Sequence, residues 1–553
     1  MIHKFKSANL LSESHQKPLH MIRYTSNKQM KLELFESPFE RGLDPENRWV
    51  KLAQTLPWDE MASVYYRTMS AGRGAPGKDA RVVVGAVIIK HKTRQPDREV
   101  IAQIKENPYL QYFLGLERFT NKPVFDASLF PTIRKRLGVA EFEAMNEEIL
   151  KLSGLVKAKE ESENQDSSDD GDDSEGDGVG ASEPTQEEKE AELREKPRKG
   201  KLLIDAVVTG QMIKYPTDLD LLNDSRLHAE RIIDLLYDHE PGKLKPRTYR
   251  RRAKKEYLAV AKQSKKSRKT IRKAIRKQLG YLKRDLDIIE QLLDQHPERF
   301  TRFKPRFRDL KIYWVIQHIY QQQLWMYENR TRSHPDRIVN IYQPWVRPMV
   351  TGKAFPKTQF GSKGSVSLIE GFASLHRIDW DNFNEGTDLQ GQVRAYAERH
   401  GHYPEAVVTD QKYGSRENRR WLKERGIRFS GKALGRPKKN PGPQDLTLKR
   451  LKKEENGMRS QIEGKFGQGK NGYGLRKIRA RRSDTSESWI AAIFFVMNLV
   501  RFILLQLSVF SFKPEGQGQS KPGWKEIKSR IRYLFEKLKL NVPAGAIFNH
   551  FAW

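Results

Sequence analysis

Between Glu160 and Glu192 the chain carries fifteen acids, one base (Lys189) and no aromatic residue. A segment so charged buries too little apolar surface to offset its ordering entropy, so no single core runs through it. The 553 residues therefore divide around a linker expected to be disordered over 156–198. The whole chain has a net charge of +32, and setting aside the −14 of the block leaves +46 on the other residues. Such an excess points to a polyanionic partner, nucleic acid in preference to a membrane surface. The acidic block itself reads either as a solvated linker or as a DNA mimic shielding the basic surface.

Cysteine is absent, which excludes a disulfide scaffold, a thiolate nucleophile, Cys-ligated zinc and an iron–sulfur cluster. The opening MIHKFKSANLLSESHQK is polar and lacks an apolar core, so no secretory signal is expected and a cytoplasmic, nucleoid-associated protein is. Residues 1–45 form an extension without an interpretable motif. Over 46–155 apolar residues recur at helical spacing in WDEMASVYYRTM, ARVVVGAVIIKHK and VIAQIKENPYLQYFLGL, predicting an all-α domain.

After the linker, a larger domain is expected over 199–512. GKLLIDAVVTG is a β-branched run ended by Gly210, hence a strand. A long helical insertion follows, about 217–335. Its segment 243–284 holds nineteen Lys and Arg and one acid, Glu256, with Ile271, Ile275, Leu279 and Leu282 on one helical face. That density of bases favours phosphate contact, with Arg250, Arg251, Lys265, Lys266 and Arg272 as candidates. Strands return in QFGSKGSVSLIEG and FASLHRIDW, joined as a hairpin at Glu370-Gly371. EAVVTD and IRFSG are further strands, separated by the helix RENRRWLKERG that Gly426 closes. Helices are predicted over 446–470 and 486–510, the latter apolar enough to be a buried core helix or a membrane span; Asn498, Arg501 and Gln506 favour the core. Residues 513–553 form a tail in which Trp524 and Phe551 suggest docking. The order is that of an α/β domain with one mixed sheet.

Two phosphate-loop lookalikes fail. Gly72 to Lys78 copies the start of a P-loop, but Asp79 stands where a hydroxyl must hold magnesium. Gly467-Gln-Gly469-Lys-Asn-Gly472 copies a dinucleotide fingerprint but follows a helix. No nucleotide cofactor is expected. His400-Gly-His402 lacks a further ligand at metal-binding spacing. Three acids are more informative. Asp205 interrupts the apolar strand LLIDAVV, where a charge needs a partner or a task. Asp410 ends the strand AVVTD, where α/β folds place ligands. Glu463 lies on a helix otherwise rich in bases. Carboxylates gathered in one place select hard cations, magnesium or manganese, and two such ions catalyse phosphoryl displacement.

The segments LLIDAVVTGQMIKYPTDLDLL, GHYPEAVVTDQKYGSRENRRWLKERGI and Arg459-x3-Glu463-x6-Lys470 resemble the DDE transposases of bacterial insertion sequences, in the insertion-sequence-four and -five grouping. Arg459, Glu463 and Lys470 match that family's Tyr-x2-Arg-x3-Glu-x6-Lys signature, with Asn456 at the tyrosine position. IVNIYQPWVRPMVTGK and EGTDLQGQV are also similar to members, and 46–150 is similar to their N-terminal helical domain.

The resemblance implies a ribonuclease-H-like mixed sheet flanked by helices, with Asp205 on its first strand, Asp410 after its fourth and Glu463 on a following helix. These three would be both the catalytic residues and the ligands of two Mg2+ or Mn2+ ions. Arg459 would hold a phosphate or orient the acid, and Lys470 would contact DNA near the transposon end. Arg436 and Lys438, in the loop GRPKK, suit a narrow minor groove. Tyr413 and Arg416 would line the DNA groove or cap a helix; Trp421 and Trp489 read as core. The implied activity is cleavage at terminal inverted repeats and joining of 3′-hydroxyl ends to target DNA, by a homodimer or larger synaptic assembly. The rivals are a ribonuclease-H-like nuclease that does not join, and a non-catalytic or decayed DNA-binding regulator.

Overall fold

Apolar residues at helical spacing form helices α1 (Arg48–Thr55), α2 (Trp58–Tyr66), α3 (Ala80–Thr93), α4 (Asp97–Glu106), α5 (Pro108–Phe113), α6 (Leu129–Arg136) and α7 (Val139–Leu152). The computed structural model describes residues 42–69, 77–155, 186–238, 244–350, 358–432, 434–435 and 442–511. Two compact units divide in sequence between Leu152 and Ser153. In the first, Trp49 and Trp58 close on Phe113 with ring centroids 5.0 and 5.2 Å apart. Burying a side chain such as Phe113 stabilises by about 1.5–3 kcal/mol. Asp79, the residue that spoils the phosphate-loop pattern, caps α3 by accepting from the N–H groups of Arg81 and Val82.

The second unit corrects one expectation at its start. Disorder was expected through residue 198, yet Gln186–Glu195 is a helix, α8. Glu190 on it pairs with Arg394 at 2.9 Å and Arg425 at 2.5 Å. Distant cationic partners stabilise a stretch that composition alone describes as self-repelling. The rest of the acidic block, residues 156–185, lies outside the described residues, as do Arg436, Lys438 and the tail from 512.

Strand β1 (Lys201–Gly210) is central. It runs parallel to β5 (Ala406–Thr409), which is parallel to β6 (Arg428–Phe429), and antiparallel to β3 (Thr358–Ile369). The other edge of β3 carries β2 (Arg347–Val350) and β4 (Phe372–Asp379) in succession. The sheet is thus mixed and six-stranded. Strand β2 is absent from the sequence expectation. It is four residues long, contains Pro348 and lies at an edge, where a missing N–H is tolerated and the alternation too brief to recognise. The hairpin joining β3 to β4 turns at Glu370 and Gly371, both at positive φ, 49° and 90°. That geometry matches a two-residue primed turn.

Alternation along the strands sets two faces. Leu202, Ile204 and Val407 pack with α13 (Leu389–His400), α14 (Arg416–Glu424), Tyr413, Trp421 and Phe429 in one cluster. Helix α15 (Pro443–Gly472) crosses β1 and β5, and α16 (Ser483–Ser511) packs on β4. One stretch, Ser483–Leu505, is long and apolar enough to cross a membrane, but 72% of its most apolar window is buried within the structure. Asn498, buried on it, exchanges two hydrogen bonds with the Ala373 backbone and pins the helix to the sheet. Trp489 is only half-buried, so the sequence expectation of a core tryptophan holds there in part.

Between β1 and β2 stand α9 (Asp218–Leu236), α10 (Arg250–Ala261), α11 (Arg268–Gln295), a 3-10 turn and α12 (Phe307–Glu328). Leu279 and Leu282 enter this bundle's core with Ile232, Ile233, Ile316 and Ile319, and Ile275 packs against it. Asp285 on α11 is fully buried and neither carboxylate oxygen has a hydrogen-bond partner. Burial, reinforced by the nearby Glu230, raises its pKa to about 8.

Candidate active site

The parallel register of β1 and β5 ends at Ile204 opposite Thr409. Asp205 and Asp410 are the next residue on each chain, so the pleat carries both to the face opposite the Leu202–Ile204 cluster. This is also the face that α15 crosses. Asp205 is largely buried, and burial raises its pKa to about 6. The Ala206 N–H, 2.8 Å from Oδ1, and the charge of Arg459 oppose that rise, while Glu385 and Asp410 add to it.

Helix α15 begins at Pro443, with the Asp445 carboxylate accepting from the Gly442 N–H. Its rotation over the sheet is fixed at several points. Buried Glu455 accepts from Arg428 at 2.9 Å. Asn456 donates to the Ser430 carbonyl, and buried Lys465 donates to the Gly371 carbonyl at 2.7 Å. Asn456, at the family's tyrosine position, therefore ties helix to strand. Held this way, one flank of α15 presents Arg459 and Glu463, one helical turn apart.

Arg459 joins the three acids. Its guanidinium lies 3.8 Å from Asp410 and 3.2 Å from Glu463, and its charge acts on Asp205. The three sequence-selected acids thus face one locale. They are not gathered into a cage: among the described residues, no three acids or histidines are close enough to hold a metal ion. Carboxylates repel unless a cation stands between them, and here the cation is the arginine.

Other candidates divide. Arg251, Lys265 and Lys266 are exposed on the insertion. Arg250 is committed to Asp234, at 2.8 Å, and to the Glu230 carbonyl. Arg272 donates to the Tyr327 carbonyl and stacks on the Tyr327 ring at 3.9 Å. Lys470 is half-buried near the end of α15. Tyr413 does not line a groove as expected. It is fully buried in the sheet core, because its ring completes the cluster beneath Asp410. The cap of α14 is Ser415, accepting from the Asn418 N–H, which leaves Arg416 exposed. Trp421 is core, flanked by the Arg394 and Arg425 guanidiniums.

Sequence reading missed Glu385, Lys363 and Asn418. Glu385 opens a short turn, Glu385–Asp388, and pairs with buried Lys363 of β3 at 2.8 Å. Lys363 also donates to Asn382 Oδ1 and the Phe383 carbonyl. Buried Asn418 donates to the Gly386 carbonyl at 2.7 Å and the Tyr413 carbonyl at 2.9 Å, stitching the Glu385 turn to the turn after Asp410. A signal existed: Lys363 interrupts the strand QFGSKGSVSLI as Asp205 interrupts LLIDAVV.

Known proteins share two parts of the chain. Residues 37–136 match a family model described as a transposase domain (DUF772), and residues 407–500 match a transposase DDE domain. The second match contains Asp410, Arg459 and Glu463. An uncharacterized protein, ORF8 in the nfe locus of Rhizobium meliloti, is 35% identical over 126 residues, 22% of this chain. The chain spans 57% of that relative's length. No solved structure matches significantly. Over these two segments the chain is similar to transposase domains, and the second segment carries Asp410 at the end of its strand together with the Arg459–Glu463 pair.

Proposed function

We propose that this protein cleaves DNA at the terminal inverted repeats of its element and joins the freed 3′-hydroxyl to target DNA, acting in the cytoplasm. The observation that carries the reading is the placement of Asp205, midway along β1, and Asp410, just past the end of β5, each one residue beyond the parallel pairing of those strands, with Glu463 sharing Arg459 with Asp410. The strand order, two antiparallel neighbours then β1, β5 and β6 in parallel, supports a ribonuclease-H-like catalytic domain.

Oxygen-only donors suit Mg2+ or Mn2+, and the charges of Glu385 and Asp410 that help to raise the proton affinity of Asp205 mark a corner that favours a cation. Asp205, Asp410 and Glu463 would be the residues that hold them. Bound there, the ions would supply Lewis-acid stabilisation of an in-line displacement at phosphorus. Arg459 neutralises the acids in the DNA-free protein and passes to a backbone phosphate when DNA enters. In the first step water forms a P–O bond, losing a proton, and the strand's 3′-oxygen leaves as a hydroxyl; in the second that hydroxyl loses its proton and forms a P–O bond at a target phosphate, while the target strand's own 3′-oxygen leaves and takes up a proton. Exposed Arg251, Lys265 and Lys266 hold the duplex through its phosphates, and Lys470, Arg436 and Lys438 act nearer the ends. Two ends are handled together, so the active form is a dimer or larger assembly.

Pre-cleaved repeat ends incubated with a target plasmid and Mg2+ test the reading. Joined product is expected; strand cleavage of intact ends without joining would instead mark a nuclease.

A further inference from the structure

We infer that the outer strip of α12 is a two-fold contact between copies of this chain, which deepens the assembly reading above and rests on it. The helix is arranged inside out. Its polar residues Asp309, Gln322 and Gln323 are buried, bonded to Arg231, to the Ile338 backbone and to Asp218. Its aromatic residues Phe307, Trp314 and Trp325 are 70, 59 and 43% exposed. From Arg308 to Glu328 exposed positions recur every three or four residues, and the residues between them are buried or half-buried. That spacing is the narrow seam of helices that pack along their length. A solvated face on this basic insertion carries charge, as α10 does at Arg251, Arg252, Lys254 and Lys255. The strip carries rings instead, and exposed apolar surface in a row is the informative departure.

The strip is complementary to itself. Arg308 and Lys311 are exposed near one end, Glu328 at the other, and His318 midway. Antiparallel helices with a two-fold axis at His318 set Arg308 opposite the partner's Glu328 and Lys311 opposite the partner's Trp325. The first is an ion pair and the second a cation–π contact. A parallel pairing would set Arg308 against itself, which like charge disfavours. At about 150–250 Å2 per aromatic side chain, the exposed fractions leave roughly 260–430 Å2 of ring surface per copy. That is about a third to a half of the roughly 800 Å2 that each partner of a standard interface buries. Tryptophan is also a common anchor of such contacts. With two bases and one acid the strip has little net charge to offer phosphates, so a second copy suits it better than DNA.

The chain has no cysteine, so one introduced thiol reports contact between copies. With a short bismaleimide, His318→Cys in the full chain should cross-link to itself. Phe307→Cys should not, since the two-fold places its copies about 33 Å apart. Arg308→Cys mixed with Glu328→Cys should cross-link where neither does alone. Sedimentation of the full chain should show the double variant Trp314→Glu, Trp325→Glu weakening self-association about tenfold or more. Self-association of unchanged strength in that variant, or cross-linking at 307 but not at 318, would overturn this inference alone. So would a loss of DNA affinity in that variant with self-association intact, which would assign the strip to nucleic acid. A wild-type chain that stays monomeric with and without DNA ends would overturn the assembly reading and this inference with it.

Discussion

The Arg459 guanidinium stands 3.8 Å from the Asp410 carboxylate, joining a helix to a strand end that the chain separates widely. Removing that charge frees two acids for a cation. Arg459→Gln should therefore bind Mn2+ more tightly than wild type in the absence of DNA, by about tenfold. It should also lose affinity for DNA ends. Isothermal titration with each partner in turn checks both, and parallel losses would contradict the role assigned to the arginine.

Asp205 titrates near pH 6 because burial and its acidic neighbours favour the neutral form. Cations bind the ionised form. Mn2+ affinity of the DNA-free chain should fall about tenfold for each pH unit below 6 and level off above it. A midpoint near 4, the ordinary value for an aspartate, would contradict the environment described for β1.

Buried Asp285 gives the insertion a pH-dependent stability of the opposite kind from a paired acid. Its pKa is raised in the folded state, so its contribution is fully present below its ordinary value near 4 and is lost as pH rises through about 8. Thermal unfolding should show a falling midpoint over that interval. Asp285→Asn, which cannot ionise, should flatten the profile and gain about 1–3 kcal/mol over wild type at pH 9.

The bases of the insertion should separate by role. Replacing exposed Arg251, Lys265 and Lys266 with Gln should reduce the salt slope of DNA binding by about 2 to 3 with little change in stability. Arg250→Gln should leave the slope nearly unchanged. It should cost about 1–3 kcal/mol of stability by stripping Asp234 and Glu230 of a partner. Filter binding across a salt series, with thermal melts, distinguishes the two outcomes.

Much of this architecture is legible in the chain because local signals and tertiary demands agree. LLIDAVVTG is a strand by composition and by place, and Glu370-Gly371 turns a hairpin as its residues require. Asp205 and Asp410 stood out because charge in an apolar strand needs a reason. What the chain conceals depends on distant partners. Helix α8 forms where Arg394 and Arg425 meet Glu190, and neither arginine is near it in sequence. Arg250 and Arg272 look like phosphate contacts until their intramolecular acceptors are seen. Glu385 lies in EGTD, a polar turn by every local measure, and only the Asn418 clamp brings it to Asp410.

The central claim is that Asp205, Asp410 and Glu463 act as one cation-dependent cleavage centre. Single-turnover cleavage of the DNA ends that bracket the element, in Mg2+, measures it directly. Asp205→Asn, Asp410→Asn and Glu463→Gln should each lower the rate about a thousandfold or more while still binding DNA, and a double variant should lose little further, as for residues that act as a unit. Cleavage at the wild-type rate by any one of the three would contradict the claim.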